Sequence, residues 1–225
     1  MTEYAEYKNN VVRYTKWLSE EGYFGSVMGS GGNVSVRIEG ETACAITPSG
    51  IPYHEIIPDD ICILDFDQNQ KEGAHAPSME SLMHINVYKR RPDINAIVHT
   101  HQEKASLFSV INRPIPALFD EVCMNIGEIV DVVPYALSGS EELAENVAGK
   151  VENGCNCYIL QNHGALSLGF TIDKACLYAE LLEKVAAIYA DALFTGQEIS
   201  VLPEETVNFF KQIREASRKK NESDG

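Results

Sequence analysis

No run of 18 apolar residues occurs in the 225-residue chain, so the sequence offers no membrane-spanning helix. Basic residues are scarce. Lys and Arg number 18 against 33 Asp and Glu, a net charge of −15, whereas binding a phosphate backbone requires clustered cations. The one basic cluster, "SRKK" at 217–220, sits in a polar tail and reads as a solvated helix end. Nucleic acid and membrane are therefore excluded as partners. The opening "MTEYAEYKNNVVRYTKWL" is charged and amphipathic and has no apolar leader core, which points to the cytoplasm. Six cysteines are scattered through strand-like and helix-like segments, the pattern of free thiols in a reducing compartment. Cys155 and Cys157 form a lone C-x-C that reads as two small residues entering a strand. Internal repeats and low-complexity stretches are missing too.

What is present is ordinary globular material: 44% apolar residues, 23% charged, and enough length to bury a core in one domain spanning 1–225. Tyr4, Tyr7, Val11, Tyr14 and Leu18 recur at helical steps before Gly22, predicting a helix over 3–21. "NVSVRIEGETACAIT" reads as a hairpin turning at "EGET", and "ICILDF" (61–66) as a strand closed by the polar "DQNQ". Ser78 is placed to cap a helix running to about Lys89, before Pro92. Then come the strand "INAIVHTH", a helix over 102–111, the short strand "EIVDVVPY" and a helix over 140–152. "CYILQNHGALSLG" is a strand pair broken at Asn162–Gly164, followed by helices over 171–194 and 203–218. Residues 203–225 read as a tail able to move. Irregular alternation of this kind predicts a mixed sheet flanked by helices.

The chemistry gathers at strand ends. His99 and His101 close an apolar β-branched run, and the two-residue period of a strand sends both rings out of one face. They can converge on one ion, or they can be polar side chains turned to solvent. His163 ends a second apolar run, next to Gly164, so the same grammar occurs twice. Three imidazoles leave an open position on a zinc ion, as catalytic sites require. Glu80, in the first turn of its helix, is favoured there by the helix dipole and is also a candidate fourth ligand or general base. Glu80 and His84 share a helical face as a rival pair, while His54 and His75 fall in loops and should be exposed. The glycine-rich "VMGSGGNVSV" (27–36) lacks dinucleotide-binding spacing and precedes a strand where a helix is needed. With Ser30 and Asn33 it can still cradle an anion through backbone N–H groups, as can "ITPSGIPY" (46–53).

Taken in order, "GSGGNVSVR", "ITPSGIPY", "PSMES", "IVHTH" and "LQNHGAL" resemble the class II aldolase/adducin family over residues 8–195. The zinc-dependent fuculose-phosphate-type aldolases look most similar. The resemblance implies a three-layer α/β/α fold around a mixed, largely antiparallel sheet. It also implies a homotetramer with active sites at subunit interfaces. It assigns a divalent metal, Zn²⁺ or alternatively Mn²⁺ or Co²⁺, to His99, His101 and His163, with Glu80 as acid/base and ligand when substrate is absent. Ser30, Asn33, Gly50 and Ser78 match positions that hold the substrate phosphate. Three positions depart from the pattern. Met79 stands where a second serine is expected, Asp120 where the family carries a catalytic tyrosine, and "FFKQIREAS" has no tail tyrosine. The expected activity is a lyase acting on a small sugar or sugar-acid substrate, phosphorylated or not, through a metal-stabilised enediolate. Retro-aldol cleavage of a ketose phosphate leads. Decarboxylation of a 3-oxo sugar acid, or epimerase or dehydratase chemistry, is the alternative. An adducin-like interaction module is the alternative from another class; the adducin head lacks the zinc histidines, whereas this chain has all three.

Overall fold

A computed structural model describes residues 4–26 and 28–224, with side chains as far as residue 219. Val27, first residue of the glycine-rich stretch, lies outside the described residues. Among the described residues nine strands form one sheet: β1 (Asn33–Arg37), β2 (Ala43–Ile46), β3 (Cys62–Asp65), β4 (Gln70–Glu72), β5 (Ala96–Thr100), β6 (Ile115–Pro116), β7 (Ile129–Val133), β8 (Cys157–Leu160) and β9 (Gly164–Gly169). Their spatial order is β4-β3-β2-β1-β5-β9-β8-β7-β6, and every pairing is antiparallel except β7 with β8. The helices are α1 (Ala5–Glu20), α2 (Ser81–Arg90), α3 (Glu103–Ile111), α4 (Asp120–Asn125), α5 (Glu141–Lys150), α6 (Ile172–Phe194) and α7 (Glu204–Asp224).

The layers follow from period-two burial along the strands. Ala43, Ala45, Ala96 and Val98 point to one face with Val11 and Leu18 of α1 and Ala175 of α6. Cys44, Ile46 and Ile97 point to the other, against Met83 and Val87 of α2 and Leu143 and Val147 of α5. Ala165, Cys157 and Ile159 extend the first face toward α3 and α6 through Phe108 and Leu182. Each fully buried aliphatic of these sets contributes about 1.5–3 kcal/mol relative to exposure. The fold is thus three-layered, as expected. No helix among the described residues is long and apolar enough to cross a membrane.

Several expectations shift. The inward stripe of α1 includes Lys8 and Thr15 as well as Val11 and Leu18, because the Lys8 stem packs inside while its Nζ reaches Glu72 Oε2 on β4 at 2.7 Å. Strands β4 and β6 and the short α4 carry too little periodicity to be read in advance. Ser78 is not the cap of α2: Glu80 holds that position, and Ser78 Oγ instead accepts from the Glu80 N–H at 3.3 Å. All six cysteines are free and buried. His54 and His75 are exposed, as their loop positions imply.

Residues 204–224 form α7, which is tied to the body by cations at one helical face. Arg214 donates to the Cys123 carbonyl at 2.6 Å and pairs with Glu128, and Arg218 Nε reaches Asp93 Oδ2 at 3.1 Å. Asp93 also receives both arms of Arg91, at 2.7 and 2.8 Å, and Arg91 is only 1% exposed. Burial opposes the charge on Asp93, but the Arg91 and Arg218 guanidiniums hold its carboxyl below the usual range. Its stabilising share is therefore full above the unfolded carboxylate pKa of about 3.9 and is lost as pH falls through the lower folded value. Asp93→Asn should cost about 3–5 kcal/mol in urea unfolding, because the buried Arg91 charge keeps its acceptors on Val151, Cys155 and Asn156 but loses its carboxylate. Unchanged unfolding midpoints would contradict that account.

Candidate metal centre

Three strand ends and one helix start meet on the face covered by α2 and α5. His99 follows the alternation of Ile97 and leaves β5 on that face. Asn33, its antiparallel partner on β1, emerges beside it. His101 lies just past the end of β5. His163 sits in the turn between β8 and β9, where Asn162 adopts a left-handed φ of +54°. Gly164 follows because space is lacking: a Cβ there would meet His101 Cδ2 at 2.6 Å. Glu80 enters from the N-terminus of α2.

His99 is fully buried, and its Nδ1 donates to the Ala165 carbonyl at 2.9 Å, which turns Nε2 toward the cluster. That Nε2 lies 3.1 Å from Nε2 of His101 and 3.2 Å from Nε2 of His163. Zinc–nitrogen bonds of 2.0–2.1 Å in a tetrahedron put ligand nitrogens about 3.3–3.4 Å apart, so the spacing fits a shared divalent cation. Glu80, 6% exposed, completes the cluster with Oε2 at 3.2 Å from His99 and Oε1 at 3.3 Å from His163. Both oxygens are also held by neutral donors, Asn33 Nδ2 at 2.8 Å and Ser138 Oγ at 2.9 Å.

The charge in the cluster is shared unevenly, resting on Glu80 and His99. Burial opposes ionisation of Glu80, yet the pull of His99 and His163 keeps its carboxyl far below the usual range. For His99 burial also works against charge, and the Glu80 carboxylate wins and raises its pKa. Burial and the charge of His99 push His101 down to about 3 and His163 down to about 4. Both thus keep neutral, ligand-ready rings at neutral pH. Among the described residues, His99, His101 and His163 form a group able to hold a metal ion. His84 does not join them. Its Nδ1 faces Ser35 Oγ at 2.6 Å inside the α2 layer, and burial pushes it down to about 3.

A cavity of about 270 Å³ opens over the cluster, lined by Ser30, Asn33, Gly50, Ser78, Met79 and Ser138 among others. The expected anion-cradle residues are therefore brought together beside Glu80, His101 and His163. Met79 is 67% exposed at this wall. Asp120 is not part of the lining; it is an exposed residue at the start of α4. Ser138 and Tyr53 were not legible beforehand. Tyr53 is buried and its hydroxyl donates to the Gly32 carbonyl, pinning the glycine-rich loop. The signal for Ser138 was the small-residue "LSGS" between a strand and a capped helix.

Comparison with known proteins sharpens this geometry. The profile described as "Class II Aldolase and Adducin N-terminal domain" matches residues 9–190. The chain belongs to the class II aldolase/adducin family. An "L-fuculose phosphate aldolase" of Escherichia coli K12 is 35% identical over 179 residues, covering 80% of this chain and 81% of its own. A "5-methylthioribulose-1-phosphate/5-deoxyribulose-1-phosphate aldolase" of Escherichia coli O45:K1 is 34% identical, covering 78% and 81%. A solved "L-fuculose 1-phosphate aldolase" superposes with a TM-score of 0.86 at 35% identity, covering 92% and 95%. With relatives of this kind, the class II aldolase described here is an enzyme of the lyase class.

Proposed function

We propose that this class II aldolase is a divalent-metal-dependent enzyme that cleaves a C–C bond of a small ketose phosphate by a retro-aldol reaction. The observation carrying the reading is the convergence of three imidazole Nε2 atoms and Glu80 beneath a cavity walled by hydroxyls. The relatives named for ketose-phosphate cleavage support the same substrate class. His99, His101 and His163 would hold the ion, Zn²⁺ in first place and Mn²⁺ or Co²⁺ as alternatives. When bound, it supplies Lewis-acid stabilisation of negative charge on substrate oxygen.

The chain's own residues handle the protons. When the bond breaks, its electron pair stays on the ketone-side carbon and the departing carbon becomes an aldehyde, its hydroxyl proton lost to a base. Glu80, ionised at neutral pH with both oxygens within reach of the cavity wall, serves as the group that takes up and returns a proton at that carbon. Ser30, Gly50 and Ser78 offer hydroxyl and backbone donors to the phosphate. Asn33 gives one amide hydrogen to Glu80 and has a second for substrate. Asp120, outside the cavity lining, would take part only from a neighbouring copy of a homotetramer with active sites at its subunit interfaces. The cytoplasm is the compartment this reading implies.

Ketose phosphates and 3-oxo acid phosphates should be screened with detection of both aldehyde and carbon dioxide. Aldehyde is the expected product; carbon dioxide in its place would move the activity to decarboxylation. No turnover of any substrate, with no bound metal, would favour the adducin-like interaction module. The phosphate itself is tested at Met79, whose thioether cannot donate where a serine would. A hydrogen bond to a charged group contributes about 1.5–3 kcal/mol, so Met79→Ser should tighten inorganic phosphate binding roughly ten- to a hundredfold by calorimetry. Undetectable binding by wild type, Met79→Ser and Asn33→Ala alike would leave an unphosphorylated hydroxy-ketone as substrate.

A further inference from the structure

Glu80 has two oxygens and two neutral donors, and the donors come from separate elements of the fold. Ser138 lies in the connection between β7 and α5, and its Oγ donates to Glu80 Oε1 at 2.9 Å. That connection is fixed on both sides of the serine. Ser140 caps α5, its Oγ accepting from Leu143 N–H at 3.1 Å, and Ser140 N–H donates to the Leu137 carbonyl at 3.0 Å. Gly139 has φ +77°, and a Cβ there would meet the Met79 carbonyl oxygen at 3.1 Å. The loop therefore presses on the backbone next to Glu80, and the Ser138 hydroxyl is carried to the carboxylate by a rigid support.

We infer that Ser138 is a positioning residue for Glu80, locking the carboxylate rotamer that faces His99 and His163. The inference rests on the metal-dependent reading above. Asn33 holds Oε2 from β1 and Ser138 holds Oε1 from across the cavity, so the carboxylate plane is defined by two donors on separate elements. With Asn33 alone the group can swing about its terminal torsion, which is soft for glutamate. Ser138 is exposed on the cavity wall, so its replacement removes a donor and no core packing.

The test compares wild type, Ser138→Ala and Ser138→Thr. Co²⁺ or Zn²⁺ alone is titrated into metal-stripped protein by calorimetry, and kcat and KM are then measured with a ketose phosphate at saturating metal. Groups that orient a metal site from behind its ligands change affinity or activity by about ten- to a hundredfold, and Ser138→Ala should weaken metal binding and lower kcat on that scale. KM should stay within about twofold, and Ser138→Thr should restore both quantities. Wild-type affinity and kcat in Ser138→Ala would overturn the inference. A raised KM at unchanged kcat would also do so, making Ser138 a substrate contact. Failure of threonine to restore function would show that shape and not the hydroxyl matters. A wild type that binds no divalent metal overturns the metal reading together with this one. If wild type binds metal but cleaves nothing tried, the substrate reading fails and the affinity comparison still decides Ser138.

Discussion

Purified His99→Ala should carry no divalent metal and show no turnover, while its far-ultraviolet spectrum stays that of a folded protein. His99 is the hub of the cluster: its Nε2 is the atom common to the contacts with His101, His163 and Glu80. Removing it takes away the nitrogen from which the other three groups are spaced, and His101, His163 and Glu80 are left without the donor that sets them around one point. The change is also read without any substrate. A cation that binds only the native state adds about 4 kcal/mol of stability at a thousandfold excess over its Kd. Zinc should therefore raise the melting temperature of wild type and leave that of His99→Ala unmoved. His163→Ala should behave alike, since its ring is the third apex. Full metal content in either variant would sink the assignment of the ion to these histidines.

The convergence of the histidines was legible in the sequence because its logic is local. A strand has a fixed period, so His99 and His101 had to share a face, and the apolar run before His163 announced a second strand end. The fold class was legible for the same reason: Ile97 against Ala96 and Val98 is an alternation visible in letters alone. What was not legible depends on contacts between distant segments. Ser138 reaches Glu80 across 58 positions of chain, and the small-residue "LSGS" around it marks a loop without naming the partner. The burial of Lys8 needed the position of Glu72, and the docking of α7 needed Asp93 and Glu128, each supplied by tertiary packing. Asp120 marks the opposite limit. An alignment of motifs could name the position but could not say that the chain's own α4 leaves it outside the cavity lining.

Glu80→Gln should keep its metal and lose the chemistry. The substitution preserves shape, and the surroundings can accept an amide without a stranded donor. The Ser138 hydroxyl rotates freely and can accept where it now donates. Asn33 Oδ1 has no partner, so a flip of that side chain turns it from donor to acceptor toward the new amide. Three imidazoles remain for the ion. What disappears is a carboxylate that stays ionised at neutral pH because His99 and His163 outweigh its burial. Loss of a general acid/base costs about 10²–10⁴-fold, and kcat should fall on that scale with metal stoichiometry near wild type. Exchange of solvent deuterium into the ketone-side carbon of the product analogue should fall in parallel, since that step needs only the proton transfer. Glu80→Asp, one methylene shorter, should lose both hydrogen bonds to Asn33 and Ser138 and be impaired although the charge is kept. Near-normal kcat in Glu80→Gln would transfer the proton to another group, and Asp120 of a neighbouring copy would be the first to examine.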